Sequence, residues 1–341
     1  MLQAIMTAPG KIEFRDIPMP EVKKGEILIK IMRIGICGSD IHVYHGKHPY
    51  TTYPVVQGHE VSGEIVQVGS EVSGFKEGNK VTVQPQVSCG KCYSCKHGKY
   101  HICDNLMVMG FQTTGMASEY FLVDAQKVLK LPDDMSFEHG AMVEPLAVAV
   151  HALRRAGNIK GKKILVLGAG PIGNLVAQAA KGMGSKAVMI TDLSEHRLAL
   201  AKKCGIDYCI NTKEQNVGDE ITKIFGPDKA DLILECVGVN PTMEQAINFA
   251  RKGTDIIVVG VFGEKATVDL GLLQDRELRL IGTLMYQEED YKKAIELINN
   301  NEIYLDTLIT NHFSFKDYLK AYKYIEEMKD ESMKVMIDID K

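Results

Sequence analysis

The chain has 341 residues, of which 45% are hydrophobic and 25% charged, enough for about two ordinary domains with sizeable cores. Its formal net charge is −4, with no long run of like charges. That balance offers no electrostatic footprint for nucleic acid or an anionic membrane, so the expected partner is a small molecule.

The opening segment MLQAIMTAPGKIEFRDIPMPE alternates apolar and polar residues and carries acids early, unlike a signal peptide. No stretch has the length of uninterrupted apolar residues that a membrane span needs; even Lys163 to Lys186 is broken by glycines. A cytoplasmic protein with no membrane partner is expected. To about residue 145 the pattern is one of short alternating runs parted by Gly, Pro and Asn: EILIKIMRIG, EVSGEIVQVGS, NKVTVQPQ and SEYFLVDAQKVLKLP. Such runs predict the strands and turns of a compact β domain.

Two sets of metal-binding side chains fall inside it. Cys89, Cys92, Cys95 and Cys103 form C-x2-C-x2-C-x7-C in a Gly/Lys-rich loop. Four thiolates at this spacing fill a tetrahedral shell, the pattern of a structural zinc. The second set is dispersed: Cys37 in GICGSDIH, His59 and Glu60 in GHE, and Glu144 in VEPLAVAVH. A thiolate, an imidazole and a carboxylate would leave zinc one open position, the catalytic arrangement. Taken singly, His59 reads equally well as a core histidine, and either glutamate as a paired surface acid. Cys204, Cys209 and Cys236 lie among apolar residues and read as inert core thiols.

From about residue 146 apolar runs alternate with helical stretches: KKILVLG, KAVMITD, DYCIN, ADLILECVG, TDIIVVGVFG and LRLIGTLMY are the strands. Six strands with helices between them predict a parallel, doubly wound α/β sheet. The first runs into Gly168, Gly170 and Gly173, G-x-G-x-x-G at the mouth of a helix that opens with Pro171 and Ile172. That helix start offers free N–H groups to a pyrophosphate. The second strand ends at Asp192, 24 residues after Gly168, where a carboxylate accepts from both ribose hydroxyls and repels a 2′-phosphate. NAD is therefore expected over NADP. Arg197 either stacks on the adenine or is a solvated helix residue. After Tyr286 come two further helices and a last strand-like run, MKVMIDID, which has no place in a six-stranded sheet and is expected to return to the first domain.

Taken together and in this order, GICGSDIH, GHEVSGEIVQVGS, the cysteine-rich lobe, VEPLAVAVHALRRAG, VLGAGPIG and TDLSEHRLALAKKCG resemble the medium-chain zinc-containing alcohol dehydrogenases along essentially the whole chain. EPLAVAVHALRRAG and TDLSEHR look most like the sorbitol, or polyol, dehydrogenase branch. The resemblance implies a GroES-like β-rich catalytic domain at residues 1–146 and 287–341 and a Rossmann NAD-binding domain at 147–286. It implies a catalytic and a structural zinc, NAD, and oxidation of a secondary alcohol to a ketone, in a homodimer or homotetramer for which the strand Leu278 to Thr283 is a candidate contact edge. Cys37, His59 and a glutamate would hold the catalytic zinc, family members differing over Glu60 or the Glu144 position. Asp40 would orient His59 or else cap a helix. Ser39 and His42 would carry the proton away, with Glu144 and Tyr286 also among the catalytic candidates.

Some positions depart from that pattern. Met285 and Tyr286 stand where the sorbitol enzymes have an Arg-Tyr pair, and Val43 and Tyr44 alter the aromatic pattern after SDIH. Gln86 replaces a histidine of the threonine dehydrogenases. Butane-2,3-diol and threonine are the alternative substrates. A zinc-ribbon nucleic-acid module is disfavoured by the acidic balance, and a non-catalytic redox sensor by retention of the open-site ligands.

Overall fold

The computed structural model describes residues 1–340. They form two compact units, Met1–Glu144 together with the segment from Ile309 onward, and Pro145–Leu308. The expected return at residue 287 thus falls at Ile309 instead. The reason is Asp290, fully buried in the helix Glu288–Asn299, which takes His151 Nδ1 at 2.8 Å and Arg154 Nη1 at 2.6 Å and so ties that helix into the second unit.

The first unit is built on the strand Glu26–Ile36. It pairs along one side with Glu60–Val68 and along the other with Tyr120–Asp124 and then Lys334–Asp338. Lys80–Val83, Val128–Lys130 and Ile309–Ser314 complete a mixed seven-stranded sheet. Ile27, Ile29 and Ile31 are buried on one face at the strand period; an irregularity between Ile31 and Arg33 passes the buried role to Ile34 and Ile36. Arg33 Nε meets Glu138 at 2.7 Å and Asp338 at 3.1 Å, while Nη1 meets Asp340 at 2.6 Å. This cluster fastens the C-terminal strand, which occupies the first sheet as the leftover apolar run requires.

The second unit holds a six-stranded, wholly parallel sheet in the order Tyr208–Asn211, Ala187–Asp192, Lys163–Leu167, Leu232–Glu235, Asp255–Val258, Arg279–Gly282. Central strands covered by helices must be apolar on both faces, and Ile164 to Leu167 and Leu232 to Leu234 are all fully buried. The order reverses beside Lys163–Leu167, which puts the switch point of the doubly wound fold at the glycine-rich turn. Arg279–Gly282 is an edge strand. Among the described residues no helix is long and apolar enough to cross a membrane.

Candidate active site

The strand Glu26–Ile36 runs directly into Cys37, which opens the short helix Gly38–Tyr44. Its antiparallel neighbour begins at Glu60, opposite Gly35. This register brings residues distant in sequence to one end of the sheet: the Cys37 thiol, a His59 ring nitrogen and a Glu60 carboxylate oxygen lie within 4.8 Å of one another. One soft and two harder donors, two of the three buried, suit zinc and leave its tetrahedron incomplete. Glu144 is buried but lies outside this group.

Glu60 has a partner that motif reading missed. Lys334 Nζ, on the C-terminal strand, donates to its two oxygens at 2.7 and 2.6 Å and to the Ile36 carbonyl at 3.3 Å. Burial opposes the ammonium charge, but Glu60, Cys37 and Glu144 outweigh it and raise the Lys334 pKa. Gly35 makes the room, since a Cβ there would strike Glu60 Oε2. The only sequence signal was a lysine inside an apolar strand, which must find a carboxylate.

Asp40 stands at the helix start and faces His59. Its Oδ2 accepts from the Cys37 N–H at 2.9 Å at the helix start, and its Oδ1 lies 3.5 Å from His59 Nδ1. Burial alone would lower the His59 pKa; Asp40 and Cys37 overcome it and raise the value well above the ordinary one. Ser39, half-buried, and His42, exposed, are three apart on the helix and share a face. His48, which no motif singled out, stacks on Phe111 with ring centres 4.8 Å apart, and Phe111 packs 4.9 Å from His59.

The four lobe cysteines converge, each sulfur within 4.8 Å of the others. The short ladder Gln86–Val87 with Met107–Val108 closes the lobe at its base. Backbone N–H groups of Cys89, Cys92 and Cys95 point at sulfurs at 3.3, 3.4 and 3.5 Å. Such donors pull the Cys89 thiol down to about 6, the Lys91 and Cys92 amides being the largest causes. Cys95 is instead pushed up to about 12 by burial and by the neighbouring thiols. Four thiolates this close repel one another unless a cation sits among them, so the donor set fits a closed zinc site.

At the glycine-rich turn, Gly168 has φ +98° and a Cβ there would lie 2.5 Å from Val237 Cγ2. A Cβ on Gly173 would collide with the Gly168 carbonyl, whereas one on Gly170 meets nothing nearer than Arg197 Nη1 at 3.9 Å. Gly170 precedes the helix Pro171–Gly182, with Pro171 and Ile172 in its first turn. Asp192 closes the next strand, its Oδ2 accepting from Ala169 N–H at 2.7 Å and its Oδ1 from Ser194 N–H at 2.9 Å. Arg197 flanks the same turn, its buried Nε without a hydrogen-bond partner among the described residues. Glu235 went unnoticed in the sequence. Fully buried, its Oε1 accepts from Val237 and Gly238 N–H at 2.9 Å and from Thr242 Oγ1 at 2.7 Å, shaping the turn beside Gly168.

Tyr286 is 0% exposed and packs edge to face on Tyr291 at 5.0 Å, a core position of the second unit. Burial pushes the Cys204 and Cys209 thiols up to about 11 and also raises Cys236 well above its ordinary value, which suits inert residues.

Residues 23–133 match the alcohol dehydrogenase GroES-like domain and residues 171–300 the zinc-binding dehydrogenase domain. Sorbitol dehydrogenase of Bacillus subtilis (strain 168) is 32% identical over 99% of this chain and 97% of its own length. L-threonine 3-dehydrogenase of Pyrococcus furiosus is 35% identical over 93% and 92%. Galactitol-1-phosphate dehydrogenase from Escherichia coli superposes with a TM-score of 0.92 at 30% identity, covering 99% of this chain and 100% of that one. Solved relatives hold NADH or NADP. The chain therefore belongs to the medium-chain zinc-containing alcohol dehydrogenases, combining a GroES-like domain with a six-stranded dinucleotide-binding domain. Within that class it is an alcohol or polyol dehydrogenase.

Proposed function

We propose that the chain oxidises a secondary hydroxyl of a small polyol to the ketone, passing the hydride to NAD. The observation that carries this is the pairing of one closed site of four thiolates with one incomplete site of three unlike donors. Cys37, His59 and Glu60 would hold the catalytic zinc; bound there, zinc supplies Lewis acidity that eases loss of the hydroxyl proton. Ser39 receives that proton and hands it to His42, which is exposed and releases it to water. Gly168, Gly170, Pro171, Ile172 and Gly173 hold the pyrophosphate at the helix start. Asp192 takes the adenosine ribose and excludes a 2′-phosphate, with Arg197 against the adenine side.

Met285 in place of an arginine removes a donor for a long polyhydroxylated chain, which favours a short diol such as butane-2,3-diol as the second reading. The strand Arg279–Gly282 lies at the edge of its sheet, a place where a two-fold partner could continue it in a homodimer or homotetramer.

The test is a screen of sorbitol, xylitol, iditol, inositols, threonine, butane-2,3-diol and galactitol 1-phosphate with NAD and NADP, scored by kcat/KM. A polyol with NAD is expected to lead. A lead for threonine overturns the substrate assignment, and a lead for NADP overturns the role given to Asp192.

A further inference from the structure

A buried hydrogen-bonded chain runs inward from Asp40, which faces His59, and ends on a tyrosine of the C-terminal return. Tyr322 Oη donates to Gln57 Oε1 at 2.8 Å, and Gln57 Nε2 donates to Asp40 Oδ1 at 3.1 Å. That same Asp40 oxygen faces His59 Nδ1. All four side chains are buried, Gln57 to 2% exposure and Tyr322 completely. A second, weaker contact of Gln57 Nε2 to the Asp40 carbonyl, 3.4 Å, fixes the amide across the helix start.

The backbone around Gln57 is clamped as well. Its carbonyl accepts from Ala117 N–H at 2.9 Å, and the flanking Val56 and Gly58 carbonyls accept from Gly115 and Met116 N–H at 2.8 and 2.9 Å. Tyr322 is wedged between Tyr44 and Tyr318, with ring centres at 5.1 and 5.5 Å, so its ring packs as core and only its hydroxyl serves the chain.

Position 57 follows Val55 and Val56, both buried in the apolar core, and is itself buried, where an aliphatic side chain would cost nothing in desolvation. An amide is worth burying there only if both its ends are engaged. A carboxylate would repel Asp40, and a leucine would leave both the Asp40 oxygen and the Tyr322 hydroxyl short of a partner.

We infer that Gln57 and Tyr322 are positioning residues for the catalytic metal: they hold the Asp40 carboxylate facing His59, and so set the orientation of that ligand. The effect passes through Asp40, since neither side chain is a metal donor in this site. It rests on the reading of Cys37, His59 and Glu60 as the open zinc site. Partners one step behind a ligand commonly tune metal affinity 10- to 100-fold, and one step further the effect should be at the low end.

The experiment measures zinc affinity of the open site by chelator competition on the folded holoenzyme, using the four-thiolate zinc in the same sample as internal reference. Cobalt(II) placed in the open site reports ligand geometry through its absorption bands. Gln57→Leu is expected to weaken the open-site metal about 10-fold and Tyr322→Phe about 3-fold. The double variant should do no more than Gln57→Leu alone, because the two act in series. The cobalt bands should shift in each variant while lobe zinc stays bound. Unchanged affinity and unchanged bands in folded Tyr322→Phe and Gln57→Leu overturn the inference, as does parallel loss of both metals, which marks general loosening. Tyr322→Phe keeps the ring and the packing, so it decides the matter should Gln57→Leu not fold. Wild-type protein that takes no metal at Cys37, His59 and Glu60 refutes the site reading itself.

Discussion

Lys334 is 3% exposed and carries its charge against a carboxylate that is itself a candidate zinc ligand. Removing one partner of such a buried pair costs about 3–5 kcal/mol, whereas removing both is far milder. Lys334→Met should therefore lower the unfolding midpoint of the first unit in denaturant titration, and adding Glu60→Gln should restore most of the loss. Cys37→Ser is expected to abolish turnover while leaving NADH binding, followed by fluorescence, within about twofold of wild type, since the dinucleotide motif lies on other residues. Cys37, His59 and the lobe thiols were legible because their chemistry is rare and set in short motifs. Lys334 was not: it meets Glu60 across 274 residues of chain, and Gln57 gives no sign in the sequence of the polar chain it joins. Nor does the sequence show that Tyr286 is buried against Tyr291, because a tyrosine reads the same in a core as at a surface.

At the scale of elements, the lobe is a loop of short helices whose four thiols are gathered as a zinc site would require. Cys95→Ser should lower thermal stability or assembly much more than kcat measured on the folded fraction; a large rate loss in fully folded, normally assembled protein contradicts a structural role. The helix Glu288–Asn299 hangs on Asp290. Burial pushes that carboxyl up, yet His151, the Gln287 N–H and Arg154 prevail and hold it below its ordinary range. Its stabilisation is thus complete above the ordinary carboxylate range and fades as pH falls through the lowered value. Asp290→Asn should cost roughly 3 kcal/mol at neutral pH, and the wild-type and variant stability curves should converge in strong acid. Strand and helix alternation was readable from hydrophobic period. The place where the chain leaves the second unit was not, because no local signal marks a helix as belonging to one core or another; the His151–Asp290 contact decides it.

For the whole molecule, two units with separate cores divide the labour: one carries both zinc donor sets, the other the dinucleotide turn. The segment from Ile309 onward completes the first unit, Tyr322 coming from its helix Tyr318–Met328 and Lys334 from the strand Lys334–Asp338. The most direct measurement is zinc content per chain of active enzyme, followed through selective chelation alongside NADH formation at 340 nm. Two zinc ions per chain are predicted, and loss of the one held by Cys37, His59 and Glu60 should stop NADH formation while NADH still binds and the lobe zinc remains. Fully active protein containing a single zinc, confined to Cys89, Cys92, Cys95 and Cys103, would contradict it.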